Sequence, residues 1–131
     1  MLLVAITSEP PEGALDRTTR QEGGLTDTEI EACTAVCLAC AEACERCATN
    51  GSCGTNCAVD CRARCVDCAE LCRLSVSFLA RRSSFAPQLF QQCARTCASC
   101  AALCRQNENA LCRDCVQACL ACIRACTRAA G

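Results

Sequence analysis

Five cysteines, Cys33, Cys37, Cys40, Cys44 and Cys47, follow one another at steps of four, three, four and three residues. Thiolates are soft donors, and they bind soft metal ions. On a helix each residue turns by ~100°, so these five sulfurs would occupy only ~80° of arc. They would form one continuous stripe, in the place where a core-facing helix usually carries Leu, Ile and Val. The pattern returns in Cys57, Cys61, Cys65, Cys68 and Cys72, in Cys93, Cys97, Cys100 and Cys104, and in Cys112, Cys115, Cys119, Cys122 and Cys126. Cys53 lies in the turn between the first two sets. Six C-x-x-C and ten C-x-x-x-C units result. Residues three or four apart are neighbours on a helix surface. A pair of thiolates so spaced can grip one soft ion, and each can bridge to a second. Stacked along facing helices, such pairs would make a tube of sites.

Charge selects among the soft ions. A Zn²⁺ held by four thiolates carries a net charge of −2, and about five such units would leave a core near −10, which a low-dielectric interior does not tolerate. One Cu(I) for each thiolate leaves the core near neutral, and linear or trigonal sulfur sites suit a narrow core. Many Cu(I) ions per chain are therefore expected. A zinc or mixed-metal thiolate buffer is the alternative. Ferredoxin-type iron–sulfur ligation uses a looped C-x-x-C-x-x-C-x-x-x-C-P run, which does not occur here. Neighbouring thiols on one helix are poorly placed for unstrained disulfides. A purely structural thiol core would not require cysteine where Ala, Val or Leu would serve. A thiol redox enzyme lacks its usual βαβ setting, and with no His in the chain no Cys–His nucleophile can form. No catalytic residue is assigned.

The chain has 131 residues, 20 of them Cys, and a net charge of −1 with every basic residue an Arg. Nothing in this balance points to nucleic acid or to an anionic membrane. Hydrophobic residues make up 52 %, but most of these are Cys and Ala. Few large apolar side chains are left to bury, so reduced thiols, which pack as small hydrophobes, must build much of the core. The opening Met1-Leu2-Leu3-Val4-Ala5-Ile6 has no basic flank, and Glu9, Pro10, Pro11 and Glu12 follow at once. It does not read as a secretory signal or a membrane span. The expected compartment is the cytoplasm, where thiols stay reduced.

Four helices must position the sulfurs. Residues 1–25 read as a flexible tail, broken by Pro10, Pro11, Gly13, Gly23 and Gly24. Residues 26–131 read as the cysteine-rich domain. Thr26-Asp27-Thr28-Glu29 fits a capping box and opens helix one, which stops at Asn50-Gly51. Glu42 and Arg46 lie on its outer face at a helix-supporting spacing. Helix two continues past Cys72 to about Arg82. Ser83-Ser84 breaks the run and can cap helix three, with Pro87 in its first turn. Residues Gln106 to Asn109 form the next turn, and helix four ends near Arg128. The fold class expected is all-α, an antiparallel up-down-up-down four-helix bundle with a cysteine-lined core. One end would collect Ile30, Phe78, Leu79, Phe85, Leu89 and Phe90 as an apolar plug. The other would be a polar mouth rimmed by Cys47, Cys53, Cys57, Cys104 and Cys112, amid Asn50, Asn56, Asn107, Glu108 and Asn109.

The C-x-x-x-C-x-x-C-x-x-x-C-x-x-C run of helix one and its counterpart Cys112-Arg-Asp-Cys-Val-Gln-Ala-Cys-Leu-Ala-Cys-Ile-Arg-Ala-Cys126 in helix four resemble the cytosolic copper storage proteins. These are cysteine-rich four-helix bundles once grouped as domain of unknown function 326. The resemblance covers roughly residues 28–130. It implies Cu(I) storage without turnover, chiefly through C-x-x-x-C pairs and bridging sulfurs, with all twenty cysteines as candidate ligands. It further implies a homo-oligomer, commonly a tetramer, and supply by a copper chaperone or a small-thiol copper carrier. Members of that family commonly carry His at the open end, whereas the segment before helix four here reads Asn107-Glu108-Asn109-Ala110-Leu111. Entry would then depend on Cys53, Cys112 and the Asn side chains.

Overall fold

Thr26 opens the first helix as the sequence predicts. Its backbone N–H donates to Glu29 Oε1 at 2.8 Å, and the Glu29 N–H donates back to Thr26 Oγ1 at 3.1 Å. This reciprocal pair satisfies two donors that a helix start otherwise leaves orphaned. The structure is a computed structural model and describes residues 24–49, 59–108 and 110–131. Its helices are α1 (Asp27–Thr49), α2 (Val59–Ala80), α3 (Ala86–Cys104) and α4 (Ala110–Ala130). The described residues contain no strand. Residues 1–23 of the expected tail, and Asn50, Cys53, Asn56, Cys57 and Asn109, lie outside them.

Helix α2 ends two residues before the expected Arg82. Arg82 adopts a positive φ of 51°, its N–H donates to Leu79 O at 3.0 Å, and the Ser83 N–H donates to Phe78 O at 3.0 Å. This is the double hydrogen bond of a Schellman ending, where Gly usually takes the left-handed position. An arginine there carries a steric cost. Its side chain reaches α1, donating to Leu25 O at 3.0 Å and to Asp27 Oδ1 at 2.5 Å. That ion pair is widely exposed and contributes little, so the backbone term should win. Arg82→Gly is expected to stabilise the protein by about 1 kcal/mol, read as a rise of a few degrees in the melting temperature.

Ser83 does not cap α3 at its first turn as expected. The N-cap position is Phe85, without a side-chain cap. Ser83 Oγ instead accepts from the Phe85 N–H at 3.1 Å, and Ser83 O accepts from the Ala86 N–H at 3.1 Å, so serine shapes the turn before the helix. Pro87 sits in the first turn, where its missing donor costs nothing. Helix α4 runs to Ala130, one half-turn beyond the expected Arg128.

The sulfurs record the topology. Along α1 and α4 the pairs are Cys37–Cys126, Cys40–Cys119, Cys44–Cys115 and Cys47–Cys112, so the two helices run in opposite directions. Along α2 and α3 the pairs Cys61–Cys104, Cys65–Cys100, Cys68–Cys97 and Cys72–Cys93 show the same reversal. Across the diagonal, Cys40–Cys97, Cys44–Cys100 and Cys47–Cys104 run parallel on α1 and α3. Each helix packs against two neighbours, in the cyclic order α1, α2, α3, α4. Buried Ala41, Ala43, Ala69 and Ala101 flank the sulfur rows and let the helices approach closely.

Charge lies outside. No ion pair joins Glu42 and Arg46 among the described residues. Glu45 instead pairs with Arg73 of α2 at 2.6 Å, tying two helices rather than one turn. Arg64 Nη1 donates to Ser99 Oγ and links α2 to α3. The apolar plug is smaller than expected. Leu79 and Phe90 are buried, Ile30, Phe78 and Leu89 are half-buried, and Phe85 is 67 % exposed. Phe85 precedes α3 at the corner of the bundle, outside the ring of core positions.

Candidate metal centre

The helical period turns four sequence stripes into one sulfur column. The eighteen described cysteines are all buried, all but Cys33 and Cys61 to 0 % exposure. No disulfide joins two described cysteines. Cys53 and Cys57 lie outside the described residues, so the structure does not place these two candidates.

The column is layered. At the end nearest the α3–α4 turn, Cys47 lies 3.6 Å from Cys112 and 4.0 Å from Cys104, which is 3.8 Å from Cys61. The next layer joins Cys44, Cys65, Cys100 and Cys115, with Cys44–Cys115 and Cys65–Cys100 at 3.6 Å and Cys100–Cys115 at 3.7 Å. A third holds Cys40, Cys68, Cys97 and Cys119, where Cys68–Cys97 is 3.4 Å and Cys40–Cys119 is 3.8 Å. A fourth holds Cys37, Cys72, Cys93 and Cys122, with Cys72–Cys93 at 3.7 Å and both Cys72 and Cys37 at 3.8 Å from Cys122. Cys126 lies 4.0 Å from Cys37 and begins the closed end, where Cys33 retains 6 % exposure. Near the α3–α4 turn, the expected rim cysteines Cys47, Cys104 and Cys112 are inside the column and not open to solvent.

These separations suit metal bridging. A metal–sulfur bond of ~2.3 Å in a tetrahedral or trigonal site sets sulfurs roughly 3.8–4.0 Å apart. Sets of four sulfurs lie within 4.8 Å of one another, among them Cys40/Cys44/Cys68/Cys119, Cys40/Cys68/Cys72/Cys97, Cys44/Cys100/Cys115/Cys119, Cys47/Cys65/Cys104/Cys115 and Cys72/Cys93/Cys97/Cys122. The sets overlap. Cys40, Cys44, Cys68, Cys72, Cys97, Cys115 and Cys119 each belong to two of them. Shared sulfurs are what a chain of bridged ions needs, and isolated four-coordinate centres do not. No Arg, Asp or Glu is buried among the described residues; the buried polar side chains there are Ser75 and Thr96. With no counter-charge from the protein, the ions themselves must neutralise the thiolates.

Before metal arrives, the thiols hold one another. Burial pushes Cys61 above the ordinary thiol range. Hydrogen bonding to Cys100, aided by burial, pushes Cys65 up, and hydrogen bonding to Cys122 does the same to Cys72. Partners on the other side of such bonds move down: the bond with Cys104 lowers Cys47 to about 7, and the bond with Cys126 lowers Cys122 to about 6. Burial opposes ionisation at every one of these sites. For a group such as Cys61, raised on folding, the stabilisation is complete below the unfolded thiol value and is lost as pH climbs toward the folded one. The melting temperature of the metal-free protein should therefore fall as pH rises above about 8.5, while that of the metal-filled protein, its thiols already deprotonated, should stay level there.

Four helices enclosing a continuous column of buried thiolate donors define a soft-metal container. Residues 26–131 match the family model for copper storage proteins, and the chain belongs to that family. The fold also matches the solved structure of a Cu(I)-bound copper storage protein, BsCsp3, with a TM-score of 0.74 and 28 % identity, over 79 % of this chain and 99 % of that one. No curated protein sequence matches. Among the core residues that the cysteine pattern passed over is Ser75, fully buried on α2. It could have been found by continuing the spacing from Cys68 and Cys72 through position 75 to Leu79.

Proposed function

We propose that this protein stores Cu(I), holding many ions per chain as cargo on the thiolates of the buried column. The observation that carries this reading is the overlap of the four-sulfur sets in a core that buries no counter-charge among the described residues. Overlap supplies bridging sulfurs, and neutrality requires close to one monovalent cation for each thiolate. The ligands are the eighteen column cysteines, with Cys53 and Cys57 completing the set near the α1–α2 turn. The storage unit is residues 26–131, because residues 1–25 contain no cysteine. Retention, and not turnover, is the task of such a core, so no catalytic group is assigned.

The same reading extends to setting. Reduced thiols in this number belong in a reducing compartment, which favours the cytoplasm. No helix among the described residues is long and apolar enough to cross a membrane. Free Cu(I) is scarce where thiols abound, so a copper chaperone or a small-thiol carrier would deliver the cargo by ligand exchange. Assembly into a homo-oligomer, a tetramer by likeness to the family, would bury more of the outer faces. Leu38, Val66 and Leu74, each between 42 and 45 % exposed, are available for that.

Metal competition tests the cargo. Reduced protein offered Cu(I) and Zn²⁺ together without oxygen should retain copper to near the thiol count and exclude zinc. Retention of zinc at a few ions per chain, with copper displaced, would establish the zinc buffer instead.

A further inference from the structure

Among the described residues, Ser75 puts a buried hydroxyl in line with the sulfur stripe of α2, and it has no hydrogen-bond partner there. The side chain is 0 % exposed, and Oγ has no hydrogen-bond partner among the described residues. A helical serine usually bonds the carbonyl one turn back; this one does not. A buried unsatisfied polar group calls for a physical reason, an ion being one. Its place in sequence supplies a lead. Cys65, Cys68, Cys72, Ser75 and Leu79 continue the alternation of three and four along α2, and all five are buried. Ser75 thus occupies the position of the next thiol, one step beyond the layer in which Cys72 meets Cys93 and Cys122. By the same register its level on α3 is that of Phe90, and on α4 that of Cys126. Cys33 and Cys126 are the last sulfurs of α1 and α4 at this end.

On the reading that the column stores Cu(I), we infer that Ser75 donates an O–H···S hydrogen bond to a metal-bound thiolate of the closed-end group Cys33, Cys37 and Cys126, and so holds the last ion of the column. A sulfur inside the column can bridge ions on both sides. A sulfur at the end has ions on one side only and keeps more negative charge. A hydroxyl donor offsets that excess without adding charge of its own. A protonated thiol is a weak acceptor and a thiolate a strong one. The bond is therefore absent before loading and forms on loading. Phe90 at the level of Ser75 and Leu79 one step beyond, both buried, keep water from taking the role.

Ser75→Ala separates this from packing. Full-length wild type and variant are compared metal-free and fully loaded with Cu(I), by thermal melting and by the rate of copper loss to excess Cu(I) chelator. Removal of an unsatisfied hydroxyl should raise the melting temperature of the metal-free variant. In the loaded variant about one ion per chain should leave roughly tenfold faster, the weight of a hydrogen bond to a charged group, while the remainder leaves at the wild-type rate. A packing role would move both forms the same way, and that result, or unchanged copper loss, overturns the inference. Failure of the storage reading is distinct: wild type would then not fill with copper at all.

Discussion

Filling the core with Cu(I) is expected to raise the melting temperature by tens of degrees. The metal-free protein has little to hold it together. Phe90 and Leu79 are its large buried apolar side chains near one end, and elsewhere the described apolar interior is sulfur and alanine with Val116. An ion held by the folded state alone, at a thousand times its dissociation constant, contributes about 4 kcal/mol. Several such ions exceed the roughly 5–15 kcal/mol that stabilises an ordinary domain. Loading should also release protons, because thiols such as Cys61, Cys65 and Cys72 are held protonated in the metal-free core and must give their protons up to bind metal. Calorimetry of metal-free and loaded protein, with proton release measured in buffers of different ionisation enthalpy, checks both effects. An unchanged melting temperature would mean that copper binds outside the column.

The second large effect concerns neutrality of the empty core. Cys119 sits in the third layer at 0 % exposure, within 4.0 Å of Cys40, Cys44 and Cys68. Cys119→Asp places a carboxylate there with no cation to meet it. An uncompensated buried charge of this kind costs about 3–5 kcal/mol, enough to leave much of the metal-free variant unfolded at neutral pH. Cys119→Ala removes a small apolar group and should cost about 1 kcal/mol. The pH dependence identifies the cause. Burial raises the carboxyl above its ordinary value near 3.9, so the variant is most stable below that value and loses stability as pH rises through the folded one. Denaturant unfolding of both variants at pH 4 and pH 7 reads the contrast. Equal stability of the two at pH 7 would show that the column admits water or counter-ions.

The sulfur column was legible because a helix converts spacing into direction. Steps of three and four residues leave no freedom once the segment is helical, and four such segments with short turns leave few ways to pack. Every described cysteine of the stripes is buried in it. The capping box at Thr26 was legible for a like reason, since both partners are local in sequence. The ends were harder. The stop of α2 at Ala80 is made by Arg82 in a left-handed conformation, and arginine carries no sequence signal for that geometry as glycine would. The plug was overdrawn because Phe85 is apolar and near the end, but its place before α3 turns it to solvent. Ser75 was hidden by its chemistry: a search for cysteine steps over the serine that occupies a cysteine's place.

The central claim is that the column is filled by close to one Cu(I) per thiolate. Anaerobic titration of Cu(I) into fully reduced protein reads this most directly, following the thiolate-to-metal ultraviolet band in a chain without Trp or Tyr. A linear rise to a sharp endpoint near the thiol count, with copper retained against a strong Cu(I) chelator, is the expected result. An endpoint of one to five ions, or copper surrendered to the chelator while zinc is kept, would contradict it.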